Sequence, residues 1–364
     1  MRKHLRCRSG ADGLMADPVQ ERGGGKPIPV TFILTGYNQA DLIDAAITGA
    51  LEQDYPNLQI ILTDDASTDA TFERMRTRAQ AYAGPHRVVL NRLAENRGTL
   101  GNIYSAAAKA TGDLIVLAGG DDVSYPERTS ALVAHWLRTG ADALYSKYDL
   151  IDEDGRMIEQ GWTPDSSRLF LRDYFPGQQL EPLHGASAAC HRSVFERFPL
   201  PTERIRSEDT FLTLMLALQG GRIEFVDRAL VAYRRHAGAI TNEAALDARA
   251  GAIAAREKSQ MAFAASQHEL LKLFARERAL RGIEPALPGE LRDDLRLYEL
   301  RGRWASAGFW QRLRVLPAAR RRGHLGWLLP RLAGLTAFGY SKRALLAWRR
   351  RADRPHRKLA LQAR

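Results

Sequence analysis

Four short polar clusters contain the residue types that chemistry needs: Thr35-Gly36-Tyr37-Asn38, Asp64-Asp65-Ala66-Ser67, Gly119-Gly120-Asp121-Asp122 and Glu208-Asp209. Taken singly, each has an ordinary structural role. Asp or Ser ahead of a helix is a common N-cap, which suits Ser67 and Asp69, and adjacent acids in a loop are commonly a solvated turn. Asp121-Asp122 has the clearest chemical content. Two short carboxylates on a Gly-Gly bend, directly after an apolar run, cannot both ionise cheaply in one crevice unless a cation compensates them. Oxygen ligands suit Mg2+ or Mn2+, which share their coordination shell with substrate phosphates, so the pair predicts a metal–diphosphate site. The chain has no GxxxxGK[ST] loop, and no GxGxxG follows the first apolar run, so the P-loop and dinucleotide-binding readings lose their usual support. The Gly-Asp-Asp string also occurs in polymerase palms, but there it sits in a hairpin turn. Here Pro126-Glu127-Arg128 follows it as a helix start.

The elements that must position these clusters alternate along the chain. Apolar runs at Ile28–Leu34, Leu58–Leu62, Arg87–Leu90 and Asp113–Leu117 read as strands, and helix-period stretches at Asp41–Gln53, Asp69–Tyr82 and Thr99–Ala110 lie between them. This βαβαβαβ order requires a parallel sheet with helices on both faces, in which ligands sit beyond the carboxyl ends of the strands. Three crossovers therefore deliver acids or an aromatic to one edge. Further on, a helix at Pro126–Arg138, a strand at Ala143–Leu150, a turn at Asp152–Gly155, a strand at Ala186–Cys190, a helix at Glu208–Gln219 and strands near Ile223–Val226 and Ala229–Tyr233 predict a mixed half. Beyond Asn242 the pattern is helical, over 243–281, 288–304, 310–322 and 341–352.

The ordered strings VTFILTGYNQADLIDAAITGALEQDYPNLQIILTDDASTDAT, ENRG, GDLIVLAGGDD, SEDTFL and YRRHAGAIT resemble the signatures of the family 2 glycosyltransferases, over residues 28–242. The resemblance implies an α/β GT-A fold, a Rossmann-like mixed sheet with helices on both faces. It also implies transfer of a sugar from a nucleoside diphosphate, most often UDP, to an acceptor hydroxyl with inversion. By position, it assigns Thr35 and Tyr37 to the base pocket and Asp65 to the uracil edge, with Asp64 supporting the loop. It gives Asp121 to the ribose and metal, Asp122 to the divalent cation (Mn2+ or Mg2+), Asp209 to the general base with Glu208 beside it, and His236 to the metal or diphosphate. Many relatives have an Ala-Arg-Asn run where Thr99-Leu100-Gly101-Asn102 stands, which leaves Arg97 as the candidate cation for the phosphates. The stretch 160–190, with Trp162, His184, Gly185 and Ser187, falls where the family receives its acceptor. A nucleotidyltransferase on a similar sheet and a catalytically silent nucleotide-sugar-binding scaffold are the alternatives. The joint presence of Asp65, Asp121, Asp122 and Asp209 argues against the scaffold.

The chain has 364 residues and a formal net charge of +11, and chains of this length usually divide into domains. Residues 301–364 alone hold 17 Lys and Arg against the single acid Asp353, so the rest of the chain is net acidic and the charge says nothing about its ligand. Residues 1–27 start basic, lack the apolar core of a secretory signal and read as a flexible leader ahead of a catalytic domain, 28–242, and a helical basic extension, 243–364. The two cysteines, Cys7 and Cys190, form neither a disulfide framework nor a zinc site. No apolar run reaches membrane-spanning length; the stretch Leu325–Tyr340 is interrupted by Pro330 and Arg331. The tail mixes arginine clusters with Trp304, Phe309, Trp310, Trp327, Phe338 and Trp348, which suits an anionic membrane surface, or packing against the domain, ahead of nucleic acid. A peripheral enzyme on the cytoplasmic face of the cell membrane, handling glycan or lipid-linked acceptors, is the expectation.

Overall fold

The computed structural model describes residues 27–163, 174–175, 182–236, 250–283 and 287–332. The four expected N-terminal strands form, as β1 (Val30–Gly36), β2 (Gln59–Asp64), β3 (Arg87–Arg92) and β4 (Leu114–Gly119), with α1 (Ile43–Leu51), α2 (Thr71–Ala81) and α3 (Gly98–Ala107) between them. They are parallel, in the order β3-β2-β1-β4. β1 and β2 are buried along nearly their whole length because both faces are covered. Phe32, Leu34, Ile60 and Leu62 pack against α1 on one face, and Ile33, Ile61, Ile115 and Leu117 pack against α3 on the other.

The second half adds β5 (Val123–Ser124), α4 (Arg128–Thr139), β6 (Ala143–Ile151), β7 (Met157–Trp162), β8 (Ala189–His191), α5 (Ser193–Arg197), α6 (Glu208–Leu218) and β9 (Ile223–Arg234). β8 runs antiparallel to β4 and extends the sheet to β6, β9 and β5, and β7 pairs β6 as a hairpin. Two expected elements differ. The strand expected over 186–190 is a single 3-10 turn, Gly185–Ser187, followed by the three residues of β8. Ser187 Oγ donates to Ser146 O at 2.9 Å and accepts from Ser146 N at 3.2 Å, which takes that backbone out of the ladder. The two strands expected over 223–233 are one, because a register shift against β6 after Ser146 absorbs the extra residues as a bulge.

The C-terminal helices are α7 (Ala250–Leu280), α8 (Gly289–Gly302), α9 (Phe309–Arg314), α10 (Leu316–Arg321) and α11 (Leu325–Leu332). Leu270, Leu271, Leu273 and Phe274 of α7 and Leu291 of α8 join the same core as α3 and α6. Among the described residues of the basic aromatic segment, several arginines and tryptophans have partners within the protein. Arg322 and Asp294 form a buried ion pair at 2.7 Å, with Tyr174 Oη donating to the same carboxylate. Arg321 reaches Asp293 with two hydrogen bonds. The guanidinium groups of Arg312 and Arg301 lie over the rings of Trp304 and Trp327. Phe309 and Trp310 are the exception, at 56% and 73% exposure. The helix expected over 341–352, Phe338 and Trp348 lie outside the described residues, as do Cys7 and the leader. Among the described residues no helix is long and apolar enough to cross a membrane.

Candidate active site

The carboxyl ends of β1 and β2 meet through their loops. Asn38 and Ala66 occupy the left-handed region, with φ of 50° and 60°, conformations kept only where surrounding contacts fix them. Asn38 N donates to Ser67 Oγ at 3.0 Å and Thr68 N to Asn38 Oδ1 at 2.9 Å, while Asp69 accepts from Ala40 N and Thr71 N. Asp69 thus holds the start of α2 and ties the two loops together. Asp64 is fully buried and accepts from Ser67 N, with Arg92 Nε 3.4 Å away, a loop-supporting position. Asp65 is 2% exposed and takes the Arg97 amide at 2.7 Å. Burial raises its carboxyl above the ordinary range, opposed by the amides of Arg97 and Gly98 and by the charge of Arg204. Thr35 Oγ1 donates to Ala118 O, bracing β1 against β4 at 3.1 Å, and the Tyr37 ring is 44% exposed beside this pocket. The Arg97 side chain is exposed and packs over Gly101, so its contribution to the pocket wall is the backbone amide.

At the end of β4 the Gly119-Gly120 bend has no room for side chains: a Cβ on Gly120 would lie 2.5 Å from Ile43 and 2.9 Å from Thr35 O. The bend turns Asp121 and Asp122 toward β9. Arg234 N donates to Asp122 Oδ1 at 2.9 Å, Arg234 Nε donates to Asp121 O at 2.9 Å, and His236 Nε2 lies 3.1 Å from Asp121 Oδ2. Asp122 is 6% exposed, and burial, then the neighbouring Asp121 charge, pushes its carboxyl well above the usual range. Beneath it lies Arg128, fully buried, bonded to Ser124 Oγ and to the carbonyls of Leu117, Ala186 and Ala188. Among the described residues no three His, Cys, Asp or Glu side chains are gathered as a closed metal cage. The donor set nevertheless suits a hard divalent cation. It consists of two oxygen ligands whose charge the protein compensates only in part, and Mg2+ and Mn2+ take substrate phosphates and water for the remainder.

The acidic pair from the second half converges on the same crevice. Glu208 and Asp209 open α6, where the helix dipole favours negative charge. The Glu208 carboxyl is pushed up to about 8, by burial first and then by the charges of Asp209 and Asp121. The influence of Asp121 puts the two clusters within electrostatic reach of each other. Asp209 Oδ1 accepts from Thr210 N at 2.6 Å. Gly185 closes one side, because a methyl group there would run into the Glu208 carboxylate. The loop before α6 is gripped from α7: Ser266 Oγ accepts from Arg206 N at 2.8 Å, and Gln267 Nε2 donates to Ser207 Oγ.

The structure thus gathers Thr35, Tyr37, Asp65 and the Arg97 amide at one end of the sheet edge, and Asp121, Asp122, His236, Glu208 and Asp209 at the other. Sequence reasoning missed Arg128, Arg204, Arg234, Ser266 and Gln267. Arg128 and Arg234 each stand near a polar cluster in sequence, but nothing local says that an arginine is turned inward.

Comparison with known proteins gives these groups a context. Residues 31–200 match the family model described as Glycosyl transferase family 2. The chain is 29% identical over 244 residues to the succinoglycan biosynthesis protein ExoO of Rhizobium meliloti, covering 63% of this chain and 67% of that one. Among solved structures, the mannosyltransferase PcManGT from Pyrobaculum calidifontis, in complex with GDP-Man and Mn2+, aligns over 90% of this chain and 86% of its own, with a TM-score of 0.54 and 21% identity. S. aureus TarS 1-349, in complex with UDP-GlcNAc, aligns over 85% and 84%, with a TM-score of 0.51 and 18% identity. At those identities the structural likeness speaks for the fold. Fold, ordered motifs and family match agree: residues 31–200 carry a family 2 glycosyltransferase segment within a chain of GT-A fold.

Proposed function

We propose that this glycosyltransferase takes its sugar from a nucleoside diphosphate, with UDP as the nucleotide, and passes it with inversion to an acceptor hydroxyl during assembly of a cell-surface polysaccharide or glycolipid. The observation that carries the reading is that Asp121-Asp122, from the end of β4, and Glu208-Asp209, from the start of α6, are brought to one edge of the sheet: Gly185 lies against the Glu208 carboxylate, and its 3-10 turn is held to β4 by the bond from Leu117 N to Ala188 O. An inverting displacement needs acids of two kinds on opposite sides of the sugar. One takes the hydroxyl proton and the other handles the leaving diphosphate. Asp209 is the general base, its carboxylate held by Thr210 and by its place in the first turn of α6. Asp121 and Asp122 are the residues to hold a divalent cation, which when bound would neutralise charge on the leaving diphosphate. Tyr37, Thr35 and Asp65 receive the base, with the Arg97 amide holding Asp65. The likeness to ExoO supports a role in surface glycan assembly.

Phe309 and Trp310, exposed beside Arg314 and followed by the basic residues 333–364, suit attachment to an anionic lipid surface. On this reading the enzyme works at the cytoplasmic face of the membrane, where activated glycan precursors are built.

The experiment is a panel of nucleotide sugars with Mn2+, read as nucleoside diphosphate release and glycosylated product. Release with a UDP-sugar, lost in Asp209→Asn, is the expected result. Binding of donors with no release from any of them would favour a silent nucleotide-sugar-binding scaffold. Full transfer by Asp209→Asn, with Asp122→Asn inactive, would overturn the base assignment.

A further inference from the structure

We propose that Arg204, carried on the loop between α5 and α6, is a specificity-determining residue of the nucleotide site: with Asp65 it forms a donor–acceptor pair that fits the edge of uracil, an N–H beside a carbonyl, and rejects cytosine. The inference rests on the nucleotide-sugar reading above and adds the group that selects the base.

The two residues come from different halves of the chain. Asp65 follows β2 and takes the Arg97 amide, at the start of α3, at 2.7 Å. Arg204 reaches the same place from beyond α5. Its Nη2 donates to Asn96 Oδ1, and Asn96 Nδ2 reaches back to Asp65 O at 3.5 Å. A Cβ on Gly98, whose amide also serves the Asp65 carboxyl, would lie 3.9 Å from Arg204 Nε. The guanidinium therefore sits at the rim of the Asp65 pocket. Burial raises the Asp65 carboxyl, and the Arg204 charge acts with the two amides against that rise. Arg97, the nearer arginine in sequence, turns its own side chain over Gly101 instead.

Arg204 is exposed, and its hydrogen bond among the described residues is the one to Asn96. A guanidinium carries five N–H donors in a fixed plane, so donors remain for a ligand. The loop beneath it is nevertheless held on both sides. Glu203 lies 3.6 Å from Arg276 of α7, Ile205 is buried, and Arg206 N donates to Ser266 Oγ at 2.8 Å. Holding the neighbours of Arg204 lowers the ordering cost of a contact made by its head group.

The chemistry follows from what each group can do. An ionised carboxylate only accepts hydrogen bonds and a guanidinium only donates them. Asp65 alone could accept from the N3–H of uracil or from the amino group of cytosine, with little to separate them. Arg204 beside it requires an acceptor. Uracil offers its O4 carbonyl next to N3–H. Cytosine carries an amino group where that carbonyl stands and no hydrogen on N3, so donor would face donor and acceptor would face acceptor. Sites built to hydrogen-bond one arrangement reject the analogue that leaves their polar groups unpaired.

Titration calorimetry of UDP and of CDP, each with Mn2+, into the full-length chain, Arg204→Met and Arg204→Lys is the test. Wild type is expected to bind UDP at least about thirtyfold tighter than CDP. Arg204→Met should bind UDP at least about tenfold more weakly, with CDP affinity within about twofold of wild type. Arg204→Lys, which keeps the charge and a donor, should hold UDP within about fivefold. A role confined to holding the loop would weaken both nucleotides alike. Equal losses for UDP and CDP in Arg204→Met, unchanged UDP affinity in that variant, or a wild type that does not separate the two nucleotides overturns the inference and leaves the nucleotide-sugar reading standing. A wild type that binds neither nucleotide overturns both.

Discussion

Gly185 lies so close to Glu208 that a single added methyl group would collide with its carboxylate. The contact joins the 3-10 turn before β8 to the first turn of α6, two segments with no sequence proximity, and it fixes where the acidic pair can point. Gly185→Ala should therefore displace Glu208 or the turn. Overpacking of this kind costs about 1–3 kcal/mol. The expected outcome is a transfer rate lowered at least tenfold, with UDP affinity within about twofold of wild type, measured by product formation and titration calorimetry. Unchanged turnover would show that the acidic pair tolerates a shift.

The Glu208 carboxyl is raised from 4.5 to about 8 in the folded chain. A raised carboxyl binds its proton more tightly when folded, so the contribution to stability is fully present below about pH 4.5 and is lost as pH rises through about 8. Glu208→Gln should remove that slope. Compared with wild type, its relative stability should improve on going from pH 5 to pH 8, by about 2 kcal/mol, as read from denaturant unfolding at each pH. A parallel pH dependence in the two proteins would contradict the burial account of Glu208.

Arg322 and Asp294 are 8% and 0% exposed, and Tyr174 shares the carboxylate. Removing one partner leaves a buried charge, which costs about 3–5 kcal/mol. Arg322→Met should be destabilised to that extent, while Arg322→Met combined with Asp294→Leu should recover much of the loss. It follows that ending the chain after Leu300 would strip Asp293 and Asp294 of their arginines, so truncation there changes stability as well as any lipid contact.

Membrane attachment is better tested at the exposed tip. Phe309→Ser with Trp310→Ser, in the full chain, should reduce sedimentation with vesicles of anionic phosphatidylglycerol about tenfold while leaving Trp304 and Trp327 packed. Vesicles of neutral phosphatidylcholine should bind wild type weakly, because each basic residue near an anionic surface adds about 1 kcal/mol. Equal sedimentation of variant and wild type would sink the lipid reading.

Much of this was legible in the sequence because the N-terminal half obeys local rules. Alternating apolar runs and helix-period stretches located β1 to β4 and α1 to α3, and the acids at their ends fell on the edge where a parallel sheet binds ligands. Where long-range pairing sets local structure, the sequence was less informative. The 3-10 turn at Gly185–Ser187 depends on Ser146, forty-one residues earlier along the chain, and the bulge in β9 depends on register with β6. The tail was legible only as a choice between a lipid surface and packing against the domain, because composition does not say which arginines find partners: among the described residues two of the three in Arg320-Arg321-Arg322 reach acids of α8, and two tryptophans lie under guanidinium groups. The helix α7, read only as an extension, holds the loop that presents Glu208 and Asp209 through Ser266 and Gln267.

The central claim is that the acids at the end of β4 serve a diphosphate through a divalent cation, and UDP binding tests it without knowledge of the acceptor. Titration calorimetry of UDP into wild type and Asp122→Asn, each with Mn2+ and with EDTA, is the measurement. The account predicts wild-type affinity at least tenfold higher with Mn2+ than with EDTA, and no such difference in Asp122→Asn. Equal UDP affinity of the wild-type chain with Mn2+ and with EDTA would contradict it.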